Sequence, residues 1–373
     1  MAFCDKSECE CRFSDSFFIF CMSQVNAPRI KDIALKAGVS IGTVDRVLHN
    51  RGEVARETRE RILRIAGEMH YSPNLMARAL KSKKKLQLVA LLPDASGENE
   101  FWARHRNGLD EAMKSFEPFN LSLEVISFDL HQDDDFLLKS ETVLALHPDG
   151  ILLAPILKYQ SQQFCDKLTG QGIPYVFFDS FIDETAFLSY TGEDAYQSGR
   201  VGAQLIDYGT PVDKDIVVVN LARDLANTLH LNDRTQGFLS YFVDSGMNRG
   251  RQLCLEIKNS EYSRVVEVLD EIMTSNGNIG AIFVTSSKAH KVARFLEQHG
   301  RTDVVLVGYD LLDRNVSYLR QGVIRFLISQ RPAEQTERCV RKLFDYLLSD
   351  KQPVRMEYLP VDVVTSENVR YFF

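Results

Sequence analysis

A chain of 373 residues has room for two or three domains, and its 45% hydrophobic and 25% charged content is that of an ordinary soluble globular protein. No apolar run reaches the roughly 18 residues of a membrane span, so a membrane partner is not expected. The net charge of −7 argues, as an average, against nucleic acid, but the charge is unevenly spread. From Pro28 to Lys85 there are 14 Lys and Arg against 6 Asp and Glu, whereas the remainder carries 30 against 45. A basic segment on an acidic body predicts a local polyanion-binding module.

Residues 1–27 read as a disordered extension, and Met22 is an alternative start of translation because the regular pattern begins after it. Asp5, Glu8 and Glu10 precede the short apolar stretch Phe17–Met22 where a signal peptide would be positive, so a cytoplasmic protein is expected. Cys9 and Cys11 are spaced for neither a redox motif nor zinc. Cys165, Cys254 and Cys339 read as reduced core residues.

Arg29–Ala37 has the spacing of a short amphipathic helix with Ile33, Ala34 and Ala37 on one face. Gly38 supplies the left-handed residue that ends it, and Ser40 can cap a second helix, Ile41–Leu48, buried through Val44, Val47 and Leu48. The small Ala34 lets the two helices approach. Two short helices around a glycine turn are a helix-turn-helix unit. A third helix, Ala55–His70, turns Ile62, Ile65, Ala66 and Met69 inward and a row of arginines outward. Tyr71 to Asn74 break it; a short helix, Leu75–Leu80, and the basic run 81–85 follow.

The stretches IKDIALKAGVSIGTVDRVLHN, TRERILRIAGEMHYSPN and MARALKSKKK, in that order and spacing, resemble the DNA-binding headpiece of the lactose-repressor family. The resemblance implies that Ile41–Leu48 is a recognition helix for the major groove. It also implies a hinge helix, Asn74–Leu80, that enters the minor groove in a dimer, contributing Ala77 and the wedge residue Leu80. Ser40, Ile41, Gly42 and Arg46 then face base edges; Arg46 suits guanine O6 and N7 or, equally, a phosphate. Thr43 and Asn50 fit phosphate contact or capping. Asp45 departs from the family's small hydroxyl residue and reads as a salt-bridged orienting group, with cytosine N4 as the alternative.

From Leu86 onward, apolar strand-like runs alternate with helical segments. The strands read as Leu88–Pro93, Leu123–Phe128, Gly150–Pro155, Tyr175–Asp179, Ile216–Asn220, Leu253–Ile257, Ala281–Thr285, Val304–Gly308 and Phe326–Ser329. Amphipathic helices such as Phe101–Phe116, Tyr196–Tyr208, Tyr262–Thr274, Lys288–His299 and Ala333–Ser349 lie between them. That many strands exceed one comfortable sheet, so two α/β lobes are predicted, with ligand beyond the carboxyl ends of the strands.

This part resembles the periplasmic sugar-binding-protein fold that follows the headpiece in the family, through NEFWARHRNGLDEA, NDRTQGF, GYD and ISQRP. The architecture implied is a small all-α helix-turn-helix domain followed by a two-lobed α/β domain with parallel sheets. Its segments are the helix-turn-helix at 28–73, hinge and basic linker at 74–85, and effector-binding and dimerisation domain at 86–373. Sugar recognition needs flat apolar faces and planar polar groups. Phe101 and Trp102 match the stacking positions; Asn99, Asp179, Arg234, Asp310 and Gln330 match the polar ones. Ser286 stands where the family often has Asn or Asp, and Ser180 and Asn220 are weaker candidates.

There is no G-x-S-x-G elbow between a strand and a helix (Gly38–Gly42 spells the pattern inside the helix-turn-helix), no P-loop and no H-E-x-x-H, so no catalytic role, metal or cofactor is expected. The reading is a transcription regulator, a repressor by resemblance. It binds operator DNA as a homodimer under control of a small carbohydrate effector. A transport-linked sugar-binding protein would explain the body but not the basic headpiece; a carbohydrate-active enzyme lacks its motifs.

Overall fold

The computed structural model describes residues 28–48, 51–69, 85–95, 100–130, 132–222, 228–246, 249–258, 261–349 and 351–373. The expectations for residues 1–27, Asn50, the hinge helix with Ala77 and Leu80, and Asn99 lie outside these residues. The chain divides into two units, Met1–Asn74 and Leu75–Phe373.

The first unit is helical. Helices α1 (Ile30–Ala37), α2 (Ile41–Leu48) and α3 (Arg56–Glu68) enclose one small core of Ile33, Ala34, Ala37, Val44, Val47, Ile62, Ile65 and Ala66. Asp32 accepts a hydrogen bond from the Arg29 N–H (2.8 Å) at the start of α1. Gly38 ends the helix at φ 65°, a conformation that a Cβ would strain, and its turn returns N–H groups to the last carbonyls. The Ser40 hydroxyl accepts from the Thr43 N–H (3.1 Å), capping α2. Lys36 on α1 pairs with Glu68 on α3 at 3.2 Å.

The second unit is built on two parallel sheets. The first lobe holds β1 (Leu86–Pro93), β2 (Leu121–Phe128), β3 (Gly150–Leu153), β4 (Tyr175–Phe178), β5 (Ser189–Gly192) and β11 (Met356–Tyr358), ordered β11-β5-β4-β3-β1-β2. The second holds β6 (Asp215–Leu221), β7 (Gln252–Ile257), β8 (Ile279–Val284), β9 (Val305–Tyr309), β10 (Ile324–Ser329) and β12 (Asp362–Val364), ordered β12-β10-β9-β8-β6-β7. Only the β10–β12 pair is antiparallel among the described strands. Helices α4 (Glu100–Phe116), α5 (Asp133–Ala145), α6 (Lys158–Gln171) and α12 (Pro332–Ser349) cover the first sheet. The second is covered by α7 (Ala195–Gly209), α8 (Leu229–Ser245), α9 (Tyr262–Ser275), α10 (Ala289–Gln298) and α11 (Asp313–Arg320).

The central strands are apolar on both sides because each sheet is covered on both faces. In β1, Leu88, Ala90 and Leu92 join one core while Val89 and Leu91 join another; in β6, Val217 and Val219 oppose Ile216 and Val218 in the same way. The nine strands expected from sequence are all present. The three additional ones, β5, β11 and β12, are three or four residues long, too short to show a period. Cys165 and Cys339 are buried, but Cys254 is exposed, correcting its reading as a core residue. It lies on β7, an edge strand whose side chains alternate toward solvent.

The chain passes between lobes three times, after β5, after β10 and between β11 and β12. Immediately after the first crossing, α7 packs against α8 backbone to backbone. A Cβ on Gly237 would lie 1.9 Å from the Tyr196 carbonyl oxygen, and one on Gly199 would lie 2.1 Å from that of Arg234. Gly237→Ala is therefore expected to force the helices apart and destabilise the protein by about 1–3 kcal/mol. A lower urea midpoint at unchanged slope would register this; an unaltered midpoint would refute the close packing.

Candidate functional site

On the helical unit, α2 presents the residues singled out for DNA. Ile41 is 57% exposed, an unusual position for isoleucine in a unit with so small a core, and Gly42 and Arg46 are exposed beside it. Arg46 Nε donates to the Gly42 carbonyl at 3.2 Å, which lays the guanidinium along the outer face of the helix. The hydroxyls of Ser40 and Thr43 are 2.9 Å apart, so both are tied into the cap of α2. Asp45 is half-buried.

In the two-lobed unit, the other candidates converge where strands end. Asp179 directly follows β4, Asp310 follows β9, and Gln330 follows β10. Asp179 (φ 66°), Asp310 (φ 69°) and Arg331 (φ 55°) all adopt the left-handed region, which is costly for residues with a Cβ. Buried amides hold these bends. Gln335 accepts from the Asp179 N–H (2.8 Å) and donates to the Gln330 carbonyl (2.8 Å). Asn315 donates to the carbonyls of Tyr309 and Asp310 at 2.9 and 3.0 Å. Gln330 Nε2 in turn donates to Asp310 (3.2 Å).

Arg234, on the first turns of α8, is only 2% exposed. Its Nε donates to Glu193 Oε1 (2.6 Å), its Nη2 to the same oxygen, and its Nη1 to the Thr285 carbonyl (2.6 Å). The guanidinium lies 3.8 Å from the centre of the Tyr309 ring. Burial is the largest influence and opposes its charge, but Glu193, Tyr309 and Asp310 together outweigh it and raise its pKa further. Tyr309 is itself fixed through its hydroxyl, 2.8 Å from Ser198 Oγ.

The carboxyls nearby feel the same burial. It pushes Asp179 up to about 8 and Asp310 up to about 7; Arg234 opposes both shifts, and Glu193 adds to both. Each is thus protonated in the fold at pH values where it is ionised in the unfolded chain. Stability from this source is present below about pH 4 and is lost as pH rises through 7 to 8, by at most about 1.4 kcal/mol per pH unit for each group. Thermal melting between pH 5 and 8 is expected to show a falling midpoint, flattened in Asp179→Asn. A midpoint rising over that range would contradict the assignment.

Phe101 and Trp102 open α4 and are largely buried. Trp102 stacks on His105, ring centres 4.9 Å apart and 27° between planes, and Phe101 meets the same imidazole edge-on at 4.8 Å. Burial lowers His105 to about 3, so it is a neutral base for the aromatic pair. Arg104 bridges the lobes by donating to the Leu311 carbonyl. Ser286 is buried, and its hydroxyl has no hydrogen-bond partner among the described residues. Ser180 is also buried, and Asn220 accepts from Thr285 (2.6 Å) and Thr235 (3.1 Å) as part of the scaffold.

Sequence reasoning missed Glu193, Tyr309, Gln335 and Asn315. Glu193 follows the four-residue strand β5, whose Ser-Tyr-Thr-Gly sequence carries no strand signal. Asn315 and Gln335 sit one turn into helices, where a polar residue ordinarily faces water.

Residues 29–74 match the pattern of bacterial regulatory proteins of the lacI family, and residues 89–351 match the periplasmic binding protein domain. The ribose operon repressor of Lactococcus lactis subsp. lactis (strain IL1403) is 25% identical over 286 residues, 75% of this chain and 80% of the relative. That of Bacillus subtilis (strain 168) is 25% identical over 283 residues, covering 75% and 81%. A Bacteroides fragilis protein assigned as a LacI transcriptional regulator superposes with a TM-score of 0.71 at 29% identity, over 78% of this chain and 100% of its own. A glucose-galactose binding protein from Geobacillus stearothermophilus shares the fold at TM-score 0.69 and 20% identity, over 77% and 99%. A helix-turn-helix that displays α2, followed by a two-lobed body whose polar residues gather between the lobes, belongs to regulators and not to enzymes. The chain is a member of the lacI family of bacterial transcription regulators, with a periplasmic-binding-protein-like effector domain.

Proposed function

We propose that the chain is a repressor that acts as a homodimer on a pseudo-palindromic operator and is controlled by a sugar or sugar derivative bound between the lobes. Residues 28–73 read DNA, 74–85 form the hinge, and 86–373 bind effector and dimerise. The observation that carries the effector site is Arg234, a guanidinium buried between the lobes and laid on an aromatic ring, with Asp179, Asp310 and Gln330 around it. Planar donors, carboxyls and ring faces are the groups that recognise sugar hydroxyls and C–H faces. Asn99, Phe101, Trp102 and Ser286 complete the proposed ligand set. The repressors of ribose operons among its relatives support a carbohydrate class.

Ser40, Ile41, Gly42, Thr43, Asp45, Arg46 and Asn50 form the proposed major-groove surface, with Ala77 and Leu80 in the minor groove. A thermal-shift screen of pentoses, hexoses and sugar acids, followed by operator gel shifts, tests the reading. A stabilising sugar that also changes operator binding is expected; a sugar that stabilises without any effect on DNA binding would sink it. Leu80→Ala is expected to lose specific binding and DNA bending while nonspecific affinity changes little. Normal bending by that variant in a circular-permutation gel assay would remove the wedge from the account.

A further inference from the structure

Beside the first crossing between lobes lies a cavity of about 290 Å³, walled by Asp179, Glu193, Asp194 and Asp233 with the rings of Tyr190 and Tyr358. Among the described residues that line it there is no Lys or Arg. His230 also lines it, but burial first, and Arg234 second, hold its imidazole well below its ordinary range, so it brings no positive charge. Arg234 and Glu193 cancel one another through Glu193 Oε1, and burial pushes Asp179 up to about 8, so among the described residues the acids of the wall left without a counter-charge are Asp194 and Asp233.

Two carboxyl oxygens of these lining residues, Asp179 Oδ2 and Glu193 Oε2, are buried without a hydrogen-bond partner among the described residues. Both side chains are nearly inaccessible, at 3% and 1% exposure. Unmet acceptors in a dry site are costly, and they mark the place where a ligand's donors belong. Sugar hydroxyls can donate to such oxygens, but they leave Asp194 and Asp233 without a counter-charge. An ammonium supplies three donors and a counter-charge together and draws Asp179 toward its ionised form, as Arg234 already does in part, and tyrosine faces favour a cation as well.

Resting on the reading of this cleft as the effector site, we infer that the effector carries an ammonium group seated against Asp179, Glu193 and Asp233, so that the protein senses an amino sugar in preference to a neutral one. Ser180, next to Asp179, adds a hydroxyl but no opposing charge.

Calorimetric titration of the full chain tests this with glucosamine, galactosamine and mannosamine, each against its neutral parent hexose and its N-acetyl derivative, together with neutral pentoses. One amine is expected to bind about 10- to 100-fold more tightly than both of its uncharged counterparts, the worth of a charge-assisted hydrogen bond. The preference is expected to collapse in Asp179→Asn and to shrink in Asp233→Asn. The latter residue is only half-buried, so the variant keeps its fold, checked by melting. A neutral sugar that binds as tightly as the best amine and alters operator binding would overturn the inference while leaving the sugar-regulator reading in place. Binding by none of these sugars would overturn both. An amine preference untouched in both variants would overturn the placement of the ammonium.

Discussion

Arg234→Ala is expected to abolish the effector response and to lower folding stability by about 3–5 kcal/mol. The size follows from what the substitution leaves behind. Glu193 is fully buried, and its Oε1 accepts two hydrogen bonds from the guanidinium. Without Arg234 that carboxylate must stay ionised in a dry site or take up a proton, and the Thr285 carbonyl also loses its donor. Replacing both partners with apolar residues, as in Arg234→Met with Glu193→Leu, removes the orphaned charge. The double variant is expected to recover most of the stability and none of the effector response. Equilibrium urea unfolding and a DNA-binding assay separate the two losses. An Arg234→Ala protein as stable as the wild type would mean that the pair is not buried as described.

Arg46→Ala is the second large effect. Its guanidinium is exposed on α2, steered outward by its own bond to the Gly42 carbonyl. If it reads guanine, its loss costs about 1–3 kcal/mol of discrimination, roughly a 5- to 150-fold fall in operator affinity with relaxed preference at one base pair. If it clamps phosphate, the fall is uniform across sequences and the salt dependence of binding weakens by about one counterion. Fluorescence anisotropy against operator and scrambled duplexes at two salt concentrations tells these apart. Unchanged affinity for both duplexes would remove Arg46 from the interface. The fold itself is not at risk, because the core of this unit is made by Ile33, Val44, Ile62 and their neighbours.

The three helices α1 to α3 were legible because their determinants are local. Gly38 must turn, Ser40 must cap, and Ile33, Val44 and Ile62 recur at helical spacing around them. The lobes were legible through their long apolar strands, since a strand covered on both faces is a continuous apolar run. What escaped was set by contacts distant in sequence. Glu193 meets Arg234 across 41 residues, and Gln335 meets Asp179 across 156. Neither has a pattern of its own, because a polar residue at a helix or strand end has the same local appearance whether it faces water or a buried partner. Cys254 shows the opposite error: its neighbours are apolar, but an edge strand turns every second residue outward. The motif NDRTQGF offers Arg234 as a ligand contact. The structure adds that three of its N–H donors are already committed, so a ligand meets a guanidinium held rigid by Glu193, Thr285 and Tyr309.

Control of DNA binding by an effector requires coupling between the cleft and the DNA-binding surface, and coupling is reciprocal. The direct measurement is the affinity of the full chain for a selected operator duplex, by fluorescence anisotropy, with and without a saturating sugar from the thermal-shift screen. The expected result is a change of about 5- to 150-fold in operator affinity, absent in the Arg234→Met, Glu193→Leu double variant and mirrored by the same factor in sugar affinity when operator is present. Equal operator affinity with the cleft empty and filled would contradict it.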